Sequence, residues 1–411
     1  MRATWLGAAH TVESAFVRSG TATVRLIVDA GVEDAPIHRR VRSWLGVLGA
    51  RPAGIQTLIV PSRSSDLSGP LLPAESTAGN TAGKVDVTVV VGGGAVLDRV
   101  KLATLEHDYA SWTRTRSGLV ALPPGPGRTA PLVAIPTTLG TGAEASAVAL
   151  AHLGNRRLLV MDRSLRPTAY AHDPAAYRTL PGPLLREGLA EILSRLVGPV
   201  VGDAVGDPLT DRLCLGLIAR LVECADAVVA ALDDGHEPGP AALGEAARIG
   251  VLGHSDHVQR PHQPWAVKLW ALANEVAGLT GGAKMPTTVR LWPAFWAAVD
   301  AGASNLGSAA QLRAVWSTIR TAHSKPLPAN PGDGIHALLT HWGVQADSSC
   351  DALPIPLVTE RVLRAWGAGL PPYQGVRAGD IEHLLERTRT TTPVGTFTDI
   401  IPPRTAAALP L

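Results

Sequence analysis

The residues with the clearest chemical signature are Gly92, Gly93 and Gly94. They follow a β-branched run over 85–91 and precede apolar spacing suited to a helix. A strand that turns through glycines into a helix lets backbone amides approach a phosphate without Cβ obstruction, and it aims the positive end of the helix there. That is the chemistry of nucleotide binding, most simply of a dinucleotide, although ordinary tight loops use glycine in the same way. A second stretch, 131–144, runs from an apolar strand into a loop carrying Thr137, Thr138 and Thr141. Their hydroxyls can donate to phosphate, ribose or base. Singly they read as turn and cap residues; two polar, glycine-rich strand ends within about 50 residues favour a shared ligand. A third group is His254, His257 and His262 around Asp256. Its spacing is not that of a helix-borne zinc motif and Pro261 interrupts it. A metal there is the lesser reading; a loop at a cleft mouth, with one histidine touching substrate or carrying a proton, is the greater.

These residues need a frame that brings strand ends together. The spacing predicts a strand over 21–32 ending in Asp29 and Gly31, a helix through Val41, Trp44, Leu45 and Leu48, and a second strand near 56–60. A loop follows over 61–83, then the central strand. Strands alternating with helices imply a parallel sheet with helices on both faces and ligands beyond the strands' carboxyl ends. From about residue 183 the periodicity is helical throughout, over 184–197, 209–232, 241–252, 265–279 and 289–301. The expected architecture is an α/β Rossmann-like domain over 1–181 and an all-α domain over 182–411.

Composition narrows the function. With 411 residues, 46% hydrophobic and 18% charged, the chain reads as globular, with room for two cores. A net charge of +2 gives no argument for nucleic acid or an acidic membrane. Three widely spaced cysteines, Cys214, Cys224 and Cys350, indicate neither a disulfide framework nor a cysteine metal cluster. No signal-peptide core or membrane-length apolar run is evident, so a cytoplasmic setting is expected.

The run Val-Gly-Gly-Gly-Ala-Val-Leu-Asp-Arg-Val-Lys over 91–101 resembles the Gly-Gly-Gly-Ser-x-x-Asp-x-x-Lys signature of the iron-containing alcohol dehydrogenase and dehydroquinate synthase-like superfamily. Ile-Pro-Thr-Thr-Leu-Gly-Thr-Gly-Ala-Glu over 135–144 resembles its Pro-Thr-Thr-x-Gly-Thr-Gly-Ser-Glu signature. His172-Asp173-Pro174, Leu180-Pro181 and the stretch 377–386 are similar to weaker landmarks of the same family. Ala95 and Ala143 replace serines of the signatures. The resemblance implies NAD binding between the two domains, with Gly92, Gly93, Gly94, Asp98 and Lys101 on the pyrophosphate side and Thr137, Thr138 and Thr141 on the other flank. Asp29 falls where the family places an acid near the adenosine ribose. There it would favour NAD over NADP; an ordinary strand-end turn is the alternative.

The resemblance also places a divalent metal in the helical domain, held by one acid and two or three histidines. Here Glu191 keeps the acid, while Arg195, Trp270, Asn274 and Lys284 stand at the histidine positions. Indole cannot ligate a metal, and arginine and protonated lysine repel one. No metal is therefore expected. Lys284, as cation or as neutral base, would take over the metal's work, Arg195 would clamp a carboxylate, and Asn274, His254 and His257 complete the candidate set.

Such a cleft suits a β-hydroxy acid oxidised with loss of carbon dioxide. The lost ligands are similar to those of dehydrogenases associated with daptide-type ribosomal peptide biosynthesis. That resemblance implies oxidative decarboxylation of a peptide's carboxyl-terminal threonine. Other biosynthetic enzymes as partners and a homodimer are further expectations. A dehydroquinate synthase-like carbocycle synthase and an inactive NAD-binding partner subunit are the alternatives.

Overall fold

The computed structural model describes residues 2–20, 22–62, 65–66, 85–105, 117–122, 125, 127–154, 156–259, 266–367 and 371–390. Five short strands build the main sheet: Val24–Asp29 (β1), Ile55–Val60 (β2), Val87–Gly92 (β4), Leu132–Pro136 (β6) and Ala169–Tyr170 (β9). They lie in the order β2-β1-β4-β6-β9 with every pairing parallel. β4 and β6 are buried at every position, as strands covered on both faces must be.

The alternation of side chains along β4 sorts the two faces. Val89 and Val91 pack with Leu26 and Val28 against Val41 and Leu45 of the Pro36–Val47 helix and Val12 of the Arg2–Ser19 helix. Val90 packs with Ile27 and Ala134 against Val96, Leu97 and Val100 of the Gly94–Ala103 helix. The expected sheet with helices on both faces is thus present. The predicted first strand is shorter than 21–32. It stops at Asp29, whose Oδ1 accepts from the Gly31 N–H and caps a single 3₁₀ turn.

Two features lie outside the sequence expectation. The amino-terminal stretch forms the Arg2–Ser19 helix. A second sheet contains Ser65–Asp66 (β3), Leu119–Ala121 (β5), Val148–Leu153 (β7) and Arg156–Met161 (β8) in the order β3-β7-β8-β5, with β7 and β8 antiparallel. This hairpin projects toward the helical half, where Arg157 reaches Gly282.

Beyond Tyr170 the described residues form helices and turns. The helices that matter for the site are Gly182–Gly202, Pro240–Gly253, Lys268–Thr280 and Lys284–Asp300. They share a core rich in indole, in which Trp292 and Trp296 meet edge to face, as do Trp296 and Trp316. Gly281 adopts φ 70°, a left-handed conformation open to glycine at no steric cost, and so ends one helix and turns the chain into the next. Lys284 consequently opens its helix rather than sitting within it. Among the described residues no helix is long and apolar enough to cross a membrane.

Candidate active site

Three strand ends meet at the carboxyl edge of the main sheet. Gly93 stands at the cap of the Gly94–Ala103 helix and brings no side chain of its own to it. A Cβ on Gly93 would stand 2.9 Å from Thr138 Cγ2, and one on Gly94 would stand 2.6 Å from Thr141 Cγ2. Glycine is therefore what allows the 137–141 loop to lie directly on the turn. The Gly94 N–H donates to Thr138 Oγ1 at 3.2 Å, the Gly93 N–H to Asp29 Oδ2 at 3.4 Å, and the Thr137 N–H to the Gly92 carbonyl at 3.0 Å. β1, β4 and β6 thus end in one continuous surface.

Gly94, Ala95, Asp98 and Thr141 form one wall of a cleft of about 450 Å³. The start of that helix opens on it, which fits the pyrophosphate of a dinucleotide. Asp98 accepts from the Leu150 N–H at 2.9 Å and so fixes β7 to this helix. Burial raises its carboxyl above the ordinary aspartate range, with Lys101 opposing.

The facing wall comes from the helical half. Glu191 sits mid-helix, and Arg195, one turn later, donates to its Oε1 at 3.2 Å. Lys284 Nζ donates to the same oxygen. The Arg195 guanidinium also lies 5.8 Å from the centre of the Trp270 ring. Burial works against ionisation of Glu191, but Lys284 and Arg195 prevail and hold its carboxyl down at about 2. Burial lowers the Lys284 amine, with Glu191 opposing. Gly140, at φ 91°, brings the threonine loop onto this helix, since a Cβ there would stand 2.8 Å from Glu191 Cβ. Both walls are therefore in direct contact at their base.

His254 completes the wall, its Nδ1 2.8 Å from the Gly250 carbonyl oxygen. Burial, and then the charge of Arg195, push the imidazole down to about 4.

The structure brings Gly94, Asp98, Thr141, Glu191, Arg195, His254, Trp270 and Lys284 to one cleft. Other candidates lie elsewhere. Lys101, expected at the cofactor, is fully buried. Its ammonium donates to the Ala143 carbonyl at 3.0 Å, to Ser146 Oγ at 3.2 Å and to the Val148 carbonyl. It ties the helix to the start of β7 and has no donor left for a ligand. Asn274 is 0% exposed and does not line the cleft, because its helix turns it into the core. His257 is exposed on an outer groove, and His262 lies outside the described residues. Thr137 is 2% exposed and Thr138 is engaged by Gly94, so both act in packing the turn. Asp29 is 7% exposed and accepts from Gly31, Ser62 and Gly93, which gives it a structural duty beside any ribose contact.

Sequence reasoning missed Arg157 and His152, both on the cleft wall. Arg157 donates to the Gly282 carbonyl at 2.9 Å and clips the hairpin to the loop before Lys284. The signal was present: Gly154-Asn155 between two apolar runs is a hairpin turn signature.

The donor set around Glu191 does not fit a divalent metal. One carboxylate is already shared by two cationic side chains, and ammonium and guanidinium offer no lone pair. Among the described residues no group of three or more His, Cys, Asp or Glu side chains is disposed to hold one.

Residues 7–174 match the family model of the iron-containing alcohol dehydrogenases. A probable mitochondrial hydroxyacid-oxoacid transhydrogenase of Dictyostelium discoideum is 33% identical over 111 residues, which is 24% of this chain and 20% of that protein. A 4-hydroxybutyrate dehydrogenase of Cupriavidus necator is 28% identical over 183 residues, 43% of this chain and 45% of that protein. The chain thus spans less than half the length of these curated relatives. The structure of an NADH-dependent butanol dehydrogenase A from Thermotoga maritima superposes with a TM-score of 0.70 at 15% identity, covering 92% of this chain and 94% of that one. Residues 7–174 are therefore similar to the iron-containing alcohol dehydrogenases, and the chain as a whole carries the fold of these dehydrogenases.

Proposed function

We propose that this chain is an NAD-dependent oxidoreductase acting on a hydroxy acid, with the Lys284 ammonium at the substrate oxygen in place of a metal ion. One observation carries the reading: Lys284 and Glu191 form an ion pair in the same cleft that exposes the glycine-turn helix start. A bound nicotinamide supplies the two-electron acceptor for the carbinol carbon.

The chain's own residues do the rest. The start of the Gly94–Ala103 helix holds the pyrophosphate, and the Asp29 carboxylate at the end of β1 favours a ribose 2′-hydroxyl over a 2′-phosphate. Glu191 keeps Lys284 charged and aimed, so that its remaining N–H bonds stabilise negative charge on the substrate oxygen as the carbonyl forms. Arg195, one side of whose guanidinium is committed to Glu191, presents the other to a substrate carboxylate. The relatives' names, a hydroxyacid transhydrogenase and a 4-hydroxybutyrate dehydrogenase, support a substrate that bears both hydroxyl and carboxylate.

The finer reading is a β-hydroxy acid. Its oxidation gives a β-keto acid, and when the bond to the carboxylate carbon breaks, its electron pair flows into the carbonyl held by Lys284 while carbon dioxide leaves. A peptide ending in threonine is such a substrate. NADH formation with this peptide and with 4-hydroxybutyrate, alongside carbon dioxide release, tests both levels. Turnover of the peptide with gas release supports the finer reading, turnover of 4-hydroxybutyrate alone leaves the coarser one, and turnover of neither removes the reading.

A further inference from the structure

His254 stands in the partition between two cavities. On one side it lines the cleft with Asp98, Glu191 and Lys284; on the other it lines a groove of about 680 Å³ with Glu144, Tyr170 and His257. Its Nδ1 is 2.8 Å from the Gly250 carbonyl oxygen, and a carbonyl only accepts, so Nδ1 carries the hydrogen. The lone pair of the neutral ring is then on Nε2, which is enclosed and has no hydrogen-bond partner. Leaving a buried acceptor unmatched costs on the order of 1–3 kcal/mol, so such groups are uncommon without a function or a ligand to satisfy them. The ring is also held in place. Gly142, at φ 58°, lies flat against it, and a Cβ there would come within 2.3 Å of Cε1.

We propose that His254 is the proton acceptor of this site. This role rests on the oxidoreductase reading. The substrate O–H proton passes to Nε2, the oxygen's electron pair forms the carbonyl, and the C–H bond leaves with its electron pair to the oxidised nicotinamide. The imidazolium then gives up its Nε2 proton to water after the products leave, which restores the neutral ring with Nδ1–H on the Gly250 carbonyl.

The charges facing the ring suit a transient imidazolium. Burial, and then Arg195, disfavour it, which keeps the ring neutral and its lone pair free at rest, whereas Glu144 and Glu191 favour it once formed. Glu144 has one oxygen 3.1 Å from His172 Nε2 and its other oxygen, buried, without a partner. Lys284, bonded to Glu191, is thereby a donor to the substrate oxygen while His254 is the acceptor from it. The two roles are divided between two side chains.

The test is paired. With whichever of the threonine-ended peptide and 4-hydroxybutyrate is turned over, His254→Gln is expected to lower kcat by about 10²- to 10⁴-fold with KM within threefold. Imidazole should restore part of the rate to His254→Ala. Turnover by His254→Gln at the wild-type rate overturns the proposal. The second measurement needs no substrate: ¹⁵N NMR of histidine-labelled protein with NAD and trifluoroethanol, an alcohol that resists oxidation. Nε2 should resonate as an unprotonated nitrogen and move when the alcohol donates to it. A protonated Nε2, or one indifferent to the alcohol, overturns the proposal even if neither compound is turned over, in which case the oxidoreductase reading fails separately.

Discussion

Lys284 Nζ donates to Glu191 Oε1, joining residues 93 apart in sequence across the floor of the cleft. The bond fixes a cation where only local turn geometry would otherwise hold a flexible side chain, and it leaves that cation free to donate again.

Lys284→Met keeps the length of the side chain and removes its charge. We expect kcat to fall by about 10²- to 10³-fold, the scale of losing one preorganised donor to a developing oxyanion. NADH binding, followed by fluorescence titration, should change by less than about threefold, because the glycine turn lies on the facing wall. Full turnover by this variant removes Lys284 from the chemistry.

Lys101→Met should act on stability instead. It strips the donor from the buried Ala143 and Val148 carbonyls and from Asp98 at the cleft wall. A loss of about 3–5 kcal/mol in urea unfolding is expected, as for one partner removed from a buried pair. A variant of unchanged stability that no longer binds NADH would instead return Lys101 to the cofactor site.

Asp29→Ser removes the charge at the end of β1. The ratio of kcat/KM for NAD to that for NADP should fall by about tenfold, equivalent to ~1.4 kcal/mol. Because Asp29 also accepts from Gly31 and Gly93, a drop in melting temperature should accompany the change. Unaltered selectivity rules out the ribose role.

Stability should decline on the acid side in two stages. The His254 imidazole sits at about 4 in the folded chain against an ordinary 6.5, so the unfolded chain binds the extra proton and stability falls as pH drops from 6.5 to 4. Glu191 sits at about 2 against 4.5, so its contribution is present above 4.5 and is lost as pH falls toward 2. Each group contributes a slope of at most about 1.4 kcal/mol per pH unit. Thermal melts from pH 3 to 8 check this, and His254→Phe should flatten only the upper stage.

Activity should survive dialysis against a strong chelator, and added ferrous or zinc ion should not raise it, since the donors at Glu191 are cations. Elemental analysis of the active protein gives the stoichiometry. A rate proportional to bound metal contradicts the proposed role of Lys284.

Local information made much of this chain legible. β-branched runs announce β1, β4 and β6, the triple glycine announces the turn, and 3.6-residue periodicity announces the helices that carry Glu191 and Lys284. β7 and β8 escaped because Arg156, Arg157 and His152 break the apolar alternation, and the Gly-Asn pair at 154–155 of the sequence was the remaining clue. The Arg2–Ser19 helix escaped although Trp5, Val12 and Phe16 share its packed face, because the other two buried positions there, Ala8 and Ala15, are a weak hydrophobic signal.

Sequence by itself determined the residue types: a strand-turn-helix built for a phosphate, an acid at 191, and arginine, tryptophan, asparagine and lysine where ligating imidazoles are expected. Only the tertiary structure decided which of those residues meet. Lys101 and Lys284 are chemically identical, yet one is sealed by carbonyls from the start of β7 and the other opens on the cleft. Desolvation and hydrogen bonding depend on neighbours that are distant in sequence, and those neighbours, not the residue type, set whether a charged group holds the fold together or faces a substrate.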